Sequence, residues 1–359
     1  MAETKSPAGD VTSEAAAAAC AVTIAHESPD WSEYLVGRLD ATIYNDVRWG
    51  QVMAAAYGNR AYYLTASRQG RTVGVLQLVA QKSLLFGSHL CSLPYFDMAG
   101  ILADDKGATN ALFAEARSLM VELGARWVEL RQAEPLPGDV PARTDKVTLR
   151  LPLPPAPEAL WKALDAKVRN QVRKGQRENL KVDQGATELL PDFYAVYART
   201  MRDLGSPPHH ERFFRLITEQ FGEAVRVFVV RAGNRPLAAS MTLADSRGIR
   251  VPWAGNDWRA RQSCANMLLY WSMLEEACRR QAPCFDFGRS TRDSGTYRFK
   301  TQWGAKEVPL YWHYLLPDGG ALPDLRPDSP KYRLATALWR RLPVGLVKLL
   351  GPCVMAKLS

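Results

Sequence analysis

Seven prolines crowd the stretch from 135 to 157: Pro135, Pro137, Pro141, Pro152, Pro154, Pro155 and Pro157. Each fixes its own φ and lacks a backbone donor, so no long helix crosses this stretch. It parts the chain in two and admits only an extended piece at 146–151. The 359 residues suit two domains of about 150 residues each. The expected division is a disordered leader over 1–20, a first lobe over 21–150, a second lobe over 151–318 and a tail over 319–359.

In the first lobe, 34–57 reads as mainly helical with a break around 42–45. Residues 61–66 and 73–80 read as strands joined by a turn at Arg68-Gln69-Gly70-Arg71. A further strand at 90–93 leads into the loop PYFDMAG at 94–100. A helix over 108–123 then ends at Gly124, and 127–130 reads as a short buried strand. The second lobe opens with a helix over 157–178, on which Leu160, Leu164, Val168 and Val172 make an apolar stripe at i+4. Helices near 189–204 and 208–221 follow, then strands at 225–232, 237–244 and 249–253. A helix at 265–280, a strand at 284–287, a short helix at 296–303 and a strand at 308–316 complete the lobe.

The two lobes share much of one order. PYFDMAG and VPWAGND (251–257) each follow a strand and precede a helix; WVELR (127–131) and FDFGR (285–289) each follow that helix. Such a pattern is what an old duplication leaves; chance recurrence of common α/β patterns is the alternative. The expected fold class is α/β (α+β): two tandem lobes, each a mixed, mostly antiparallel sheet flanked by helices.

Hydrophobic residues make up 47% and charged residues 23%, values of a globular chain. The net charge of +9 favours anionic partners without choosing among phosphates, nucleic acid and an anionic membrane. The six cysteines are scattered with no C-x-x-C pair. That argues against a disulfide scaffold or zinc site and makes a cytoplasmic setting the default. No apolar run approaches the roughly 18 residues of a membrane helix. Asp10 and Glu14 precede the alanines at 15–19, which makes a poor signal peptide.

The segment FDFGRSTRDSGTYRFKTQWGA at 285–305 is the most unusual. Its strand ends at Asp286-Phe287-Gly288, and open α/β sheets bind ligands at the carboxyl ends of strands. Arg289, Arg292 and Asp293 crowd the loop before Gly295, and Tyr297, Phe299, Lys300 and Trp303 fall on the short helix after it. A cation at Lys300 can stabilise the negative charge that develops on a carbonyl oxygen in acyl transfer. Asp286 or Asp293 can position the nucleophile or take its proton. The competing reading is a charged surface loop over a Phe/Trp core.

A second cluster lies at 167–181, with six basic residues (Lys167, Arg169, Arg173, Lys174, Arg177, Lys181) against one acid, Glu178. Arg169, Arg173 and Arg177 share one helix face. Guanidinium forks match phosphate oxygens, and Asn170 adds a neutral donor; the alternative is a solvated face. The helix after Gly255 can offer its first amides to a pyrophosphate, although its loop, 256–266, lacks glycines. The pair His209-His210 has no third ligand in sequence, so a surface or helix-start role is expected rather than a metal. No G-x-S-x-G, P-loop or H-E-x-x-H motif is present. The tail from Lys331 has six basic residues and no acid, with Leu334, Leu338 and Leu342 at i+4. It can lie on an anionic membrane face or close the core of a lobe.

The motifs SLPYFDMAG (92–100), WVELR, KVRNQVRKGQR (167–177) and above all FDFGRSTRDSGTYRFKTQWGA resemble the FemAB-like branch of the GNAT acyltransferase superfamily. The likeness is strongest to the FemAB-related proteins of exosortase (PEP-CTERM) and exopolysaccharide systems, and it covers most of 25–316. The resemblance implies two GNAT-like lobes with substrate between them. In Fem-type relatives amino acids pass from aminoacyl-tRNA to peptidoglycan precursors. The Phe-Lys pair, here Phe299 and Lys300, is associated there with the transferred group. A basic residue early in the second lobe, matching Arg169 or Arg173, is associated with precursor phosphates. GNAT enzymes hold coenzyme A on a glycine-rich loop that is missing here, and Fem proteins often carry a coiled-coil arm for tRNA, also missing. The donor is therefore left open between acyl-CoA and aminoacyl-tRNA, with no metal.

The expected activity is direct transfer of an acyl or aminoacyl group to a cell-envelope saccharide or peptidoglycan-type precursor, with Lys300, Asp286 and Asp293 as catalytic residues. Arg169, Arg173, Asn170, Arg289, Arg292, Tyr297, Phe299 and Trp303 are the expected substrate contacts. The expected partners are a phosphorylated or lipid-linked saccharide or peptide precursor, tRNA if it is the donor, and the inner membrane face for the tail. The alternatives are a non-catalytic binding module for such a saccharide and, from charge alone, a nucleic-acid binder.

Overall fold

A computed structural model describes residues 20–83, 87–317, 320–323 and 330–358. The leader expected over 1–20 lies outside the described residues except for Cys20. The first part of the chain runs β1 (Ala21–Ala25), α1 (Ser32–Leu35), α2 (Arg48–Tyr57), β2 (Ala61–Arg68), β3 (Arg71–Ser83), β4 (Gly87–Cys91), β5 (Leu102–Ala103), α3 (Lys106–Glu122), β6 (Val128–Gln132) and β7 (Ala142–Arg143). Then come β8 (Lys146–Pro152), α4 (Pro157–Ala163), α5 (Ala166–Arg177), β9 (Leu180–Gly185), α6 (Leu190–Leu204), α7 (Glu211–Phe221), β10 (Val225–Ala232), β11 (Arg235–Asp245) and β12 (Gly248–Asn256). The chain closes with α8 (Ala265–Arg279), β13 (Cys284–Thr291), α9 (Gly295–Thr301), β14 (Lys306–Pro309), β15 (Tyr311–Leu315), α10 (Pro330–Trp339) and α11 (Val344–Leu358).

Two sheets result. The first has the order β1-β2-β3-β4-β6-β15-β7, with β5 added beside β3; the second has the order β14-β8-β13-β12-β11-β10-β9. The plans match place for place. Four strands run antiparallel, the fourth meets the fifth in parallel (β4 with β6, β12 with β13), and two antiparallel strands follow. This is the mixed, mostly antiparallel architecture that the sequence order predicts, present twice.

The sixth place in each sheet is filled from across the molecule. β7 belongs to the first sheet, yet β8, two residues later, pairs with β13 and β14 in the second. β14 belongs to the second sheet, yet β15 pairs with β6 and β7 in the first. The extended piece at 146–151 is therefore a fully paired strand of the second sheet rather than part of a linker. The single strand expected over 308–316 is two strands, parted at Leu310 and committed to different sheets. Alternation makes each segment a strand, but nothing local names its partner.

The helix expected over 157–178 breaks at Leu164, whose ψ of 147° is extended, and restarts where the Asp165 carboxylate accepts from the Lys167 amide at 2.7 Å. Leu160, Leu164, Val168 and Val172 are all buried, as their spacing predicts. One core cluster spans both lobes. Tyr44, Trp49 and Phe96 of the first pack against Phe213, Phe221 and Trp253 of the second, with Trp49 at 4.4 Å from Phe96 and 4.3 Å from Phe221 between ring centroids. His209 is not at the surface. It is buried in this cluster, its Nδ1 2.6 Å from the Tyr57 hydroxyl, and burial pushes its pKa down to about 3, so it is neutral. His210 caps α7, its ring nitrogen accepting from the Arg212 amide at 2.9 Å.

Candidate functional site

β12 and β13 are paired in parallel only at Ile249–Phe285 and Arg250–Asp286; beyond these the strands separate. Gly288 stands just past the pairing with φ +76, and a Cβ there would lie 2.6 Å from the Val251 carbonyl oxygen. Only glycine meets both demands. Two residues past the matching acid of the first lobe, Glu129, stands Arg131 instead of glycine. Its guanidinium donates to the Phe96 carbonyl at 2.7 Å. Past the pairing, the second sheet opens between β12 and β13.

A cavity of about 210 Å³ occupies the opening. Val251, Pro252 and Ala254 of β12 and Phe287 and Arg289 of β13 form its sides, and Tyr270 of α8 closes it below. Thr296 and Lys300 enter from α9, and the first lobe supplies Tyr44, Tyr95, Phe96 and Asp97. α9 is placed by Ser294, whose hydroxyl accepts from the Tyr297 amide at 3.1 Å. Lys300 is 8% exposed, and its Nζ donates to the carbonyl oxygens of Gly288 and Arg289, both at 2.8 Å. An ammonium has three donors, so one remains. Burial pushes the Lys300 pKa down to about 8, with the Asp97 and Asp286 carboxylates opposing the shift. Asp97 accepts from the Arg289 amide at 3.2 Å and pairs with its guanidinium at 3.2 Å.

Two further recesses adjoin α9. A groove of about 1040 Å³ shares Arg289 and Thr296 with the cavity, and Arg143, Lys146, Arg292, Trp312 and Tyr314 line it too. The Arg131 and Arg289 guanidinium groups both lie against the Trp312 ring, 4.3 Å and 5.1 Å from its centre. The other, about 250 Å³, sits where β12 ends and α8 begins, lined by Gln171, Arg261, Ala265, Asn266, Phe299 and Gln302 among others. Adjacent residues of α9 therefore face different recesses, Phe299 this one and Lys300 the cavity.

The residues singled out in the sequence separate on this frame. Lys300 and Arg289 meet in the cavity, Arg292 lines the groove, and Phe299 lines the recess at α8. Asp286 is fully engaged: it accepts from Thr148 Oγ1, from Arg150 Nε at 3.1 Å and from the Gly288 amide at 2.8 Å, and it faces a different cavity. Asp293 is exposed in the turn before α9, with φ +59. Tyr297 turns outward to donate to Glu307 at 3.0 Å, and Trp303 is a core residue, 1% exposed. Arg169, Asn170 and Arg173 line none of these recesses. Arg169 donates to the Lys162 carbonyl, and Arg173 lies over the Trp161 ring at 5.5 Å, on the flank of α5 beside α4. Asp97, Tyr44, Tyr95, Tyr270 and Thr296 escaped sequence reasoning as site residues; the recurrence of PYFDMAG opposite VPWAGND was the available signal for Asp97. Among the described residues no group of three or more His, Cys, Asp or Glu side chains could hold a metal.

Residues 166–301 match the family model described as Acetyltransferase (GNAT) domain. No curated protein sequence matches the chain. Among solved structures, FemX is similar over 79% of this chain and 94% of its own at 14% identity, with a TM-score of 0.60. The C-terminal DUF2156 domain of an Agrobacterium fabrum protein described as a lysylphosphatidylglycerol synthetase covers 85% and 92% at 11% identity, TM-score 0.53. L-PGS from Bacillus licheniformis covers 82% and 93% at 11% identity, TM-score 0.50. Residues 166–301 thus carry the match to the GNAT acetyltransferase model, and the two mixed sheets give the chain a fold of two GNAT-like lobes.

Proposed function

We propose that this protein transfers an acyl or aminoacyl group directly to an amine or hydroxyl of a phosphorylated or lipid-linked cell-envelope saccharide or peptide precursor. The observation that carries the reading is Lys300, a buried ammonium held by two carbonyls at the opening between β12 and β13 with one donor to spare. The acceptor's nucleophile attacks the acyl carbonyl carbon, and the Lys300 ammonium stabilises the oxyanion that forms. The intermediate then collapses and expels the donor's thiolate, or its ribose oxygen as a hydroxyl carrying the proton taken from the nucleophile. No enzyme nucleophile is required. Asp97 takes the role first sought at Asp286 and Asp293, receiving the nucleophile's proton, because it is the carboxylate that lines the cavity.

The donor enters from the Phe299 side, where α8 begins, and the acceptor from the groove of Arg143, Lys146, Arg289 and Arg292, which suits phosphate. The likeness to FemX and to the protein described as a lysylphosphatidylglycerol synthetase favours an aminoacyl over a simple acetyl donor. A link to exosortase or exopolysaccharide systems remains part of this proposal, resting on the sequence motifs. The test compares envelope polysaccharide and peptidoglycan from cells with and without the gene. The reading expects an acyl or aminoacyl substituent to be missing without it and restored by the wild-type gene but not by Lys300→Met. Unchanged composition, with tight ligand binding and no turnover on acyl-CoA or aminoacyl-tRNA, makes the protein a binding module instead.

A further inference from the structure

The C-terminal helices carry a surface that the transfer site does not use. α11 packs by one face against α6 of the second lobe and β3 of the first. Val347 is fully buried, Gly351 is close against Pro208, and the Lys348 ammonium lies 5.3 Å from the centre of the Tyr194 ring. The opposite face is apolar and open. Leu346, Leu349, Leu350 and Cys353 stand at i, i+3, i+4 and i+7, so they form one stripe along the helix. Leu349 is 70% exposed and Leu346 and Leu350 are each 44% exposed. On α10, Leu338 is 56% exposed beside the exposed Arg340 and Arg341. Leu204, also exposed, gives its carbonyl oxygen to Arg340.

Charge decides what covers such a stripe. From 331 to 359 the sequence has Lys331, Arg333, Arg340, Arg341, Lys348 and Lys357 and no Asp or Glu. A second copy on a twofold axis would set this charge against itself with no acid in the segment to offset it. An anionic lipid surface removes the conflict: leucines enter the boundary between headgroups and acyl chains while the arginines stay among phosphates. No helix among the described residues is long and apolar enough to cross a membrane, so the contact is in-plane.

We infer that the exposed stripe of α11, with Leu338, Arg340 and Arg341, docks the protein on an anionic phospholipid surface. The inference does not depend on the transfer reaction. It is tested with the full chain by co-sedimentation with phosphatidylglycerol-rich vesicles and, separately, phosphatidylcholine vesicles. Expected are binding to the former, weakening in high salt, and little binding to the latter. Leu346→Ser, Leu349→Ser and Leu350→Ser combined weaken binding about tenfold or more, because the apolar anchor is lost. Arg340→Gln with Arg341→Gln does the same by removing the attraction to anionic lipid, roughly tenfold. Circular dichroism checks that both variants stay folded; the leucines face away from the docked side of α11, and Arg340 gives up one hydrogen bond, to the Leu204 carbonyl. The inference is overturned if the wild type ignores phosphatidylglycerol vesicles, or if folded variants bind them equally well. It is equally overturned if light scattering shows a dimer that the leucine variant dissolves.

Discussion

At the scale of single residues, Lys300 combines two properties that pull against each other. Its burial makes a donor effective in a dry site and also makes the charge expensive to hold. Lys300→Met is expected to lower transfer by about 10²–10³-fold, the usual loss of one oxyanion donor, with the melting temperature little changed. Because the active form is the protonated one, transfer is expected to fall as pH rises through about 8. The stability effect has the opposite sense. The folded pKa lies below that of the unfolded chain, so the buried charge weakens the fold below pH 8, and that cost is relieved between pH 8 and the ordinary lysine value. A pH–rate profile set beside a pH–denaturation series separates the two. The carboxylates part in a similar way. Asp97→Asn is expected to cost about 10²-fold or more in rate with the fold intact. Asp286→Asn, which strips Arg150 of its partner and Gly288 of its cap, should cost about 2–3 kcal/mol of stability in chemical denaturation. Lys300 was legible as a candidate because it lies on a short helix just past a strand end, beside a loop crowded with charge. Asp97 was not, because its partner Arg289 lies 192 residues away. The arginine stripe of α5 was legible as a face, but that it lies beside α4, away from the recesses, depends on packing that no periodicity records.

At the scale of elements, the pairing of β12 with β13 is what opens the site, and Gly288 keeps it open. Gly288→Ala puts a methyl against the Val251 carbonyl in a left-handed backbone, so a loss of about 1–2 kcal/mol is expected. Transfer should fall much further than stability does, since the Gly288 carbonyl also holds Lys300. Assays on protein that is still folded at low temperature check this. Most helices and strands could be read from sequence, since apolar period and turn residues are local signals. The exceptions have physical causes. The break at Leu164 was hidden by an apolar stripe that continues straight through it, although Asp165 stood as a cap. The strands β8 and β15 were visible as strands but not as members of the sheets they join, because sheet partnership is decided by contacts across the whole chain.

At the scale of the whole molecule, the lobes share an aromatic core and exchange a strand each. A fragment ending at Arg143 would keep β6 and β7 without β15 between them and expose one flank of the shared core. Such a fragment is expected to be insoluble or unfolded. The full chain is expected to melt in one calorimetric transition, where independent lobes would give two. Two well-separated endotherms, or a fragment with dispersed amide resonances, would contradict this. The division into two lobes was legible in the prolines, but their interlock was not, since a proline-rich stretch breaks helices without saying on which side a neighbouring strand is sewn.

The exchanged β15 also sets a schedule at the ribosome. β6 ends at Gln132, and its neighbour in the sheet is complete only at Leu315. At roughly 5–20 residues per second of synthesis, the gap between these points takes on the order of ten seconds or more. Throughout that interval β6 presents an unpaired edge, the kind of surface that recruits other strands. The nascent first sheet thus keeps an open edge until β15 has been made.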